Sequence, residues 1–219
     1  MNFAIEYTSA YFSHLVITPR KKVLKHSLVS VQSGLVLIKL GKQEYAVEPG
    51  QSVWIPYDCL TSLTYFPNTQ VNRVDFSVRL TDSFPRQAGY ITQTNLSSAL
   101  LEKLEQTKAR ASKANNTEQA FKDMLSVLKQ EVLSFKPLLC ESALSQRFNQ
   151  WNIDDSNLPQ EHTLVMVMRE AKKRMQSGQK RSLVIDDLFS VQIKKLDDYF
   201  VIPISDYLKH SINFHEREW

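Results

Sequence analysis

Val47-Glu48-Pro49-Gly50-Gln51-Ser52-Val53-Trp54-Ile55-Pro56 is the stretch on which the reading of the fold turns. Pro49 pre-sets φ and Gly50 accepts a positive φ, so the pair marks a tight turn. Ser52–Ile55 is rich in strand formers, and Pro56 stands at its end, where a missing N–H costs least. Before the turn, Lys42-Gln43-Glu44-Tyr45-Ala46-Val47 alternates. After it, the run from Tyr57 to Tyr65 becomes extended again. Two short strands hinged at Pro-Gly are expected, in the middle of a small antiparallel barrel.

Working outward, the chain up to Thr92 reads as strands. The segments are Asn2–Thr8, Tyr11–Ile17, His26–Gln32, Leu35–Leu40, Gln43–Val47, Ser52–Ile55, Ser62–Phe66, Gln70–Leu80 and Ala88–Thr92. Thr18-Pro19-Arg20-Lys21-Lys22 and Pro67-Asn68-Thr69 read as turns, and Ser33-Gly34 as a hairpin-type break. In Gln70–Leu80, Val74, Phe76, Val78 and Leu80 share one face, and Arg73, Asp75, Ser77 and Arg79 the other. Short strands with closely spaced turn signals imply a barrel or sandwich.

The period changes near Asn95, which can cap a helix carrying Leu96, Leu100 and Leu104. A longer helix follows Thr117, with Phe121, Met124, Leu125, Leu128, Val132 and Phe135 on its apolar face, until Pro137 ends or bends it. Leu138–Phe148 is helix-compatible, with Leu138, Leu139 and Leu144 as core candidates. Trp151–Pro159 is polar and turn-rich, as a linker would be. Gln160–Met175 reads as a helix with Leu164, Val167, Met168 and Ala171 on one side, a basic end and Gly178 as its stop. Short helices are expected from Ser182 through Phe189, over Val191–Phe200, and from Ser205. The fold class is therefore α+β. Residues 1–150 form an antiparallel barrel with C-terminal helices, and residues 160–219 a small all-α domain.

The chain has 219 residues, 42% hydrophobic and 23% charged, which is ordinary for a water-soluble globular protein. A net charge of +4 permits a nucleic-acid partner without demanding one. Cys59 and Cys140 lie far apart with no partner motif, as unpaired thiols in a reducing cytosol do. With neither a signal-peptide pattern nor an apolar run long enough to span a membrane, a cytoplasmic protein is expected.

Enzyme signatures are missing from the sequence. It has no Gly-x-Ser-x-Gly elbow and no phosphate-cradling glycine loop. His14 and His26 each stand alone on a strand. No metal, no cofactor and no enzymatic activity are expected. Cys59 reads as a small buried filler. Arg73 and Asp75 read as a solvated strand face or, alternatively, as a pair inside the barrel around a polar ligand. Tyr45 and Trp54 are either plain core or the lining of a ligand pocket.

The two ends together resemble a known arrangement. His26, Ser33-Gly34, the Tyr45–Gln51 strand and turn, and Ile55-Pro56 look like the N-terminal cupin sensor of AraC-type transcription regulators. Asp187-Leu188, Leu196, Tyr199-Phe200 and Ile204-Ser205-Asp206-Tyr207-Leu208 look like the first helix-turn-helix of that family. The helices at 95–135 fall where the family has its dimerisation element. Metal-binding cupins carry a His-x-His pair before the Pro-Gly turn and a further His after it. Here only Glu44 precedes the turn, and Leu60-Thr61-Ser62 follows Ile55-Pro56.

The resemblance implies a homodimeric, DNA-binding regulator with a metal-free sensor, open to a small-molecule effector and having no membrane association. Gln192 would be a base-edge contact, and Lys194 and Lys195 phosphate or base contacts. Lys172, Lys173, Arg174, Lys180 and Arg181 would meet the DNA backbone. The sequence departs from the pattern in several ways, first in that the interval from Asp187-Leu188 to Phe200 is about three residues shorter than in the family. Ser190-Val191-Gln192 replaces the usual turn glycine. The reading helix carries Asp197 and Asp198. Residues 182–219 hold four Lys and Arg against seven Asp and Glu, and carboxylates near phosphates repel them. The sequence ends inside what would be the linker helix, so the DNA-binding region reads as shortened. The alternative is an interaction or dimerisation protein of the same fold that has lost DNA binding and pairs with a partner regulator.

Overall fold

The computed structural model describes residues 4–110, 117–153 and 157–189. The chain divides into two compact units, Met1–Gln146 and Arg147–Trp219.

The first unit opens with β1 (Ile5–Phe12), β2 (Val16–Ile17), β3 (Lys21–Lys22), β4 (Lys25–Ser33) and β5 (Val36–Leu40). It continues with β6 (Gln43–Val47), β7 (Ser52–Ile55), β8 (Leu60–Tyr65), β9 (Thr69–Ser77) and β10 (Gly89–Ile91). Every pairing is antiparallel. One sheet runs β1-β9-β4-β7-β10. The other runs β2-β8-β5-β6, with β3 also on β8. Among the described residues no ladder joins the two sheets, so the expected closed barrel is instead a pair of stacked sheets.

The corners explain the difference. The chain passes from one sheet to the other between β4 and β5, β6 and β7, β7 and β8, and β8 and β9. A left-handed residue stands in each passage: Gly34, Gly50, Asp58 and Asn68. Ser33-Gly34 is therefore a crossing between sheets rather than the expected hairpin. Gly34, at φ +76°, has no room for a side chain, because an added Cβ would lie 2.6 Å from the Thr69 Cα. The β5–β6 connection is a true hairpin within one sheet.

Strand alternation sorts the core into two layers. Val29, Val31, Val36, Ile38, Val53, Ile55, Leu63 and Val71 fill the space between the sheets. The opposite face of the first sheet carries Tyr7, Leu28, Trp54, Val74 and Phe76. Helices α1 (Asn95–Arg110) and α2 (Thr117–Leu133) cover that face with Leu101, Leu104, Leu125, Leu128 and Val132. The expected apolar face of α2 holds, with Phe121 and Met124 partly buried at its edge. In α1, Leu101 takes the inward place and Leu96 is exposed. β9 ends at Ser77, and Val78 is exposed.

A third helix, α3 (Ala143–Gln150), starts later than expected. Ser142 takes the N-cap role, accepting from Ser145 N–H at 3.1 Å. Leu138 instead pairs with Tyr90 through two backbone hydrogen bonds of 2.9 Å, leaving the Leu138 and Leu139 side chains exposed rather than in the core.

The second unit contains α4 (Gln160–Gln176) and α5 (Arg181–Phe189). Val165, Met166, Val167, Met168 and Ala171 of α4 are buried, a face wider than a one-sided stripe. Gly178 follows α4 at φ +93°, and its N–H bonds to Met175 O. The helices expected over 191–200 and from Ser205, and the contacts Gln192, Lys194 and Lys195, lie outside the described residues.

Candidate functional site

The alternation of β9 turns Val74 and Phe76 towards the helices, and Arg73 and Asp75 into the space between the sheets. Arg73 Nε donates to Asp75 Oδ1 at 2.7 Å, and Ser27 Oγ donates to the same oxygen at 2.6 Å. Arg73 Nη2 donates to Ser27 Oγ at 3.1 Å. Tyr65, from the facing sheet, lies near enough to influence the Arg73 charge. Burial pulls the Arg73 pKa down, but Asp75 and Tyr65 outweigh it and hold the guanidinium above its ordinary range. Burial pushes the Tyr65 phenol up. Of the two readings, solvated face or internal pair, the geometry matches the pairing: Ser27, Arg73 and Asp75 form a hydrogen-bonded triad with its charges satisfied internally. The triad links β4 to β9 within one sheet.

Tyr45 and Trp54 are not brought together. Tyr45 packs at the edge of the inter-sheet core. Trp54 is fully buried on the other face of the first sheet. Its indole Nε1 donates to Pro85 O at 2.9 Å. Cys59 is half-buried against the inter-sheet core, and burial raises its thiol pKa.

Near Trp54 the structure opens a cleft of about 460 Å³. His26, Pro56 and Tyr57 form one side, and Asp82, Ser83, Phe84 and Arg86 the other. His26 stacks on Phe84 with ring centroids 4.7 Å apart, and on Trp54 at 5.6 Å. Its Nδ1 accepts from Tyr57 N–H at 3.0 Å. That bond places the proton of the neutral ring on Nε2. Burial lowers the His26 pKa and so favours this neutral form. The sequence singles out His26 but gives no ground for singling out Tyr57 or Arg86. One signal for the loop was available: Phe84-Pro85, an aromatic-proline pair inside an otherwise polar loop.

In the second unit, Lys172 is half-buried, which lowers its pKa. Lys173, Lys180 and Arg181 are exposed. Arg174 is already engaged. It reaches Glu170 at 3.2 Å and Asp187 at 2.6 Å, tying α4 to α5. The hydrogen bond to Asp187, then that to Glu170, raises its pKa. Lys173 also lies 3.6 Å from Glu170.

Among the described residues, no three His, Cys, Asp or Glu side chains gather as a metal site would require. None of the described helices is long and apolar enough to cross a membrane.

No family model and no curated protein matches the chain. Solved structures similar to it include a cupin superfamily protein from Desulfitobacterium hafniense. That match has 9% identity and a TM-score of 0.33, covering 35% of this chain and 71% of that one. Two structures of ToxT from Vibrio cholerae align over nearly the whole chain. One, a single-substitution apo variant, has 10% identity and a TM-score of 0.43, covering 96% of this chain and 80% of that one. The other has 12% identity and a TM-score of 0.36, covering 94% and 98%. These values mark a loose likeness of outline and assign no activity.

Proposed function

We propose that this chain is a non-enzymatic transcription regulator of the AraC type. Its stacked-sheet unit acts as a metal-free sensor and pairing module, and its helical unit meets DNA. The observation that carries this reading is the basic stretch from Lys172 to Arg181. It lies on a compact unit separate from the sheets and exposes Lys173, Lys180 and Arg181 around the α4–α5 connection. Exposed cations on one short segment suit a phosphate backbone. The stretch is modest in size, so weak DNA binding by the chain alone is part of the proposal.

One observation favours a second reading, in which the chain pairs with a partner regulator and does not bind DNA. Arg174, otherwise a natural phosphate contact, is held by Glu170 and Asp187. Fluorescence anisotropy of labelled promoter-length duplex DNA separates the two. The regulator reading expects a Kd in the range of about 1–100 μM that weakens steeply between low and moderate salt. Replacing Lys173, Lys180 and Arg181 together by Gln should flatten that salt dependence. No salt-dependent binding, together with a stable dimer in solution, would overturn the DNA-binding reading and support the pairing one.

A further inference from the structure

We propose that the cleft between His26-Tyr57 and the loop 82–86 binds a small planar carboxylate. This stands beside the regulator reading and does not rest on it. The cleft, at about 460 Å³, falls in the size range of small-molecule sites. Its lining offers a flat aromatic part and, beside the hydroxyls of Tyr57 and Ser83, two nitrogen donors.

The flat part is aromatic. His26, Phe84 and Trp54 stack on one another, with Trp54 and Phe84 5.9 Å apart. The ring of Tyr57, 48% exposed, stands at the same opening beside Pro56. An exposed aromatic next to a ring stack offers a planar ligand a face to lie on. The nitrogen donors are His26 and Arg86. With Nδ1 already accepting from Tyr57 N–H, the remaining donor of the His26 ring is Nε2–H. Arg86 makes no hydrogen bond or ion pair among the described residues, so its guanidinium fork is open to a bidentate anion. The one carboxylate on the lining, Asp82, is already matched by Lys129 at 2.8 Å. It therefore does not cancel the pull of Arg86.

The cleft is also held in shape before any ligand arrives. The loop is fixed at three places: Asp82 on Lys129 of α2, Phe84 in the helix-facing core, and Pro85 O on the Trp54 indole. A site built this way spends little binding energy on ordering its wall. A planar body on the rings with a carboxylate between His26 Nε2–H and Arg86 satisfies both parts at once.

Titration calorimetry of the full chain with 2-naphthoate and with the isosteric neutral 2-naphthamide, in the absence of DNA, tests this. Naphthoate is expected to bind with a Kd of about 1 mM or tighter, and naphthamide about tenfold more weakly. Arg86→Gln, at an exposed position whose loss leaves the core intact, should weaken naphthoate about tenfold and leave naphthamide unchanged. His26→Phe keeps a ring in the stack and should weaken naphthoate selectively as well. No binding of either probe, equal binding of both, or an unchanged naphthoate affinity in Arg86→Gln would each overturn the proposal. Because DNA is not involved, failure here leaves the regulator reading standing, and the reverse holds too.

Discussion

The two faces of the β1-β9-β4-β7-β10 sheet come from the same strands and are built on different principles. The helix-facing side is large, aromatic and greasy: Tyr7, Trp54, Phe76 and the loop residue Phe84. The side facing the second sheet is β-branched, with Val29, Val31, Val53, Ile55 and Val71, and carries the Arg73–Asp75 pair at its margin. Helices leave irregular gaps that big rings fill, whereas two pleated sheets mesh best through compact branched side chains. The contrast teaches where tolerance lies. The helix side depends on volume, and the sheet side on fit and on a satisfied charge pair.

Four experiments would break or sharpen that contrast. Trp54→Ala should be the most damaging, costing about 3–5 kcal/mol, because it removes a fully buried indole and its bond to Pro85 O. Urea unfolding followed by circular dichroism reads this directly. Asp75→Asn should cost about 2 kcal/mol, since it leaves Arg73 without its counter-charge in a site that is only partly shielded. Replacing Arg73 and Asp75 together by Met and Leu should recover most of that loss; a double variant as unstable as the single one would show that the polar triad stabilises the sheet in a way apolar packing cannot replace. Ile55→Val, on the inter-sheet side, should cost only about 0.5–1.5 kcal/mol.

The smallest effect concerns acidity. The folded protein holds His26 below its ordinary value of 6.5. As the pH falls through 6.5 the unfolded chain takes up the proton first, so the native state loses stability down to the folded pKa and no further from this group. The charged groups on the same cleft are Arg86 and the Lys129-paired Asp82. The stability slope across this window should correspond to at most about one proton, and His26→Gln should flatten it. Parallel slopes for parent and variant would remove His26 from the account.

Much of the fold was written in local chemistry. β6 and β7 fall on the segments that the Pro49-Gly50 turn marks out, because proline and glycine fix a corner without help from the rest of the chain. The apolar face of α2 follows its periodicity, whereas that of α4 is wider than its pattern implies. What strand patterns do not carry is the partner of each strand. Ser33-Gly34 has the composition of a hairpin, but close approach to Thr69, thirty-five residues from Gly34, makes it a crossing between sheets. Leu138 is a good helix former whose backbone was claimed by Tyr90. Arg73 and Asp75 look like a solvent face because alternation reports only that two faces differ, not which one meets water. The cleft was the least legible part: it joins β4, the β7–β8 corner and the distant loop 82–86, and only tertiary packing brings these together.

The pairing of Leu138 with Tyr90 has a bearing beyond stability. β10 is the last strand of its sheet, and such a margin offers unpaired amides and carbonyls to any neighbouring chain. Leu138 occupies it in passing, and Gly89 permits the approach, since a methyl group there would lie 2.6 Å from the Leu138 carbonyl carbon. The segment after Pro137 thereby covers part of that margin. A chain nicked at that segment, or carrying Gly89→Ala, would keep most of its core and become prone to stack edge to edge.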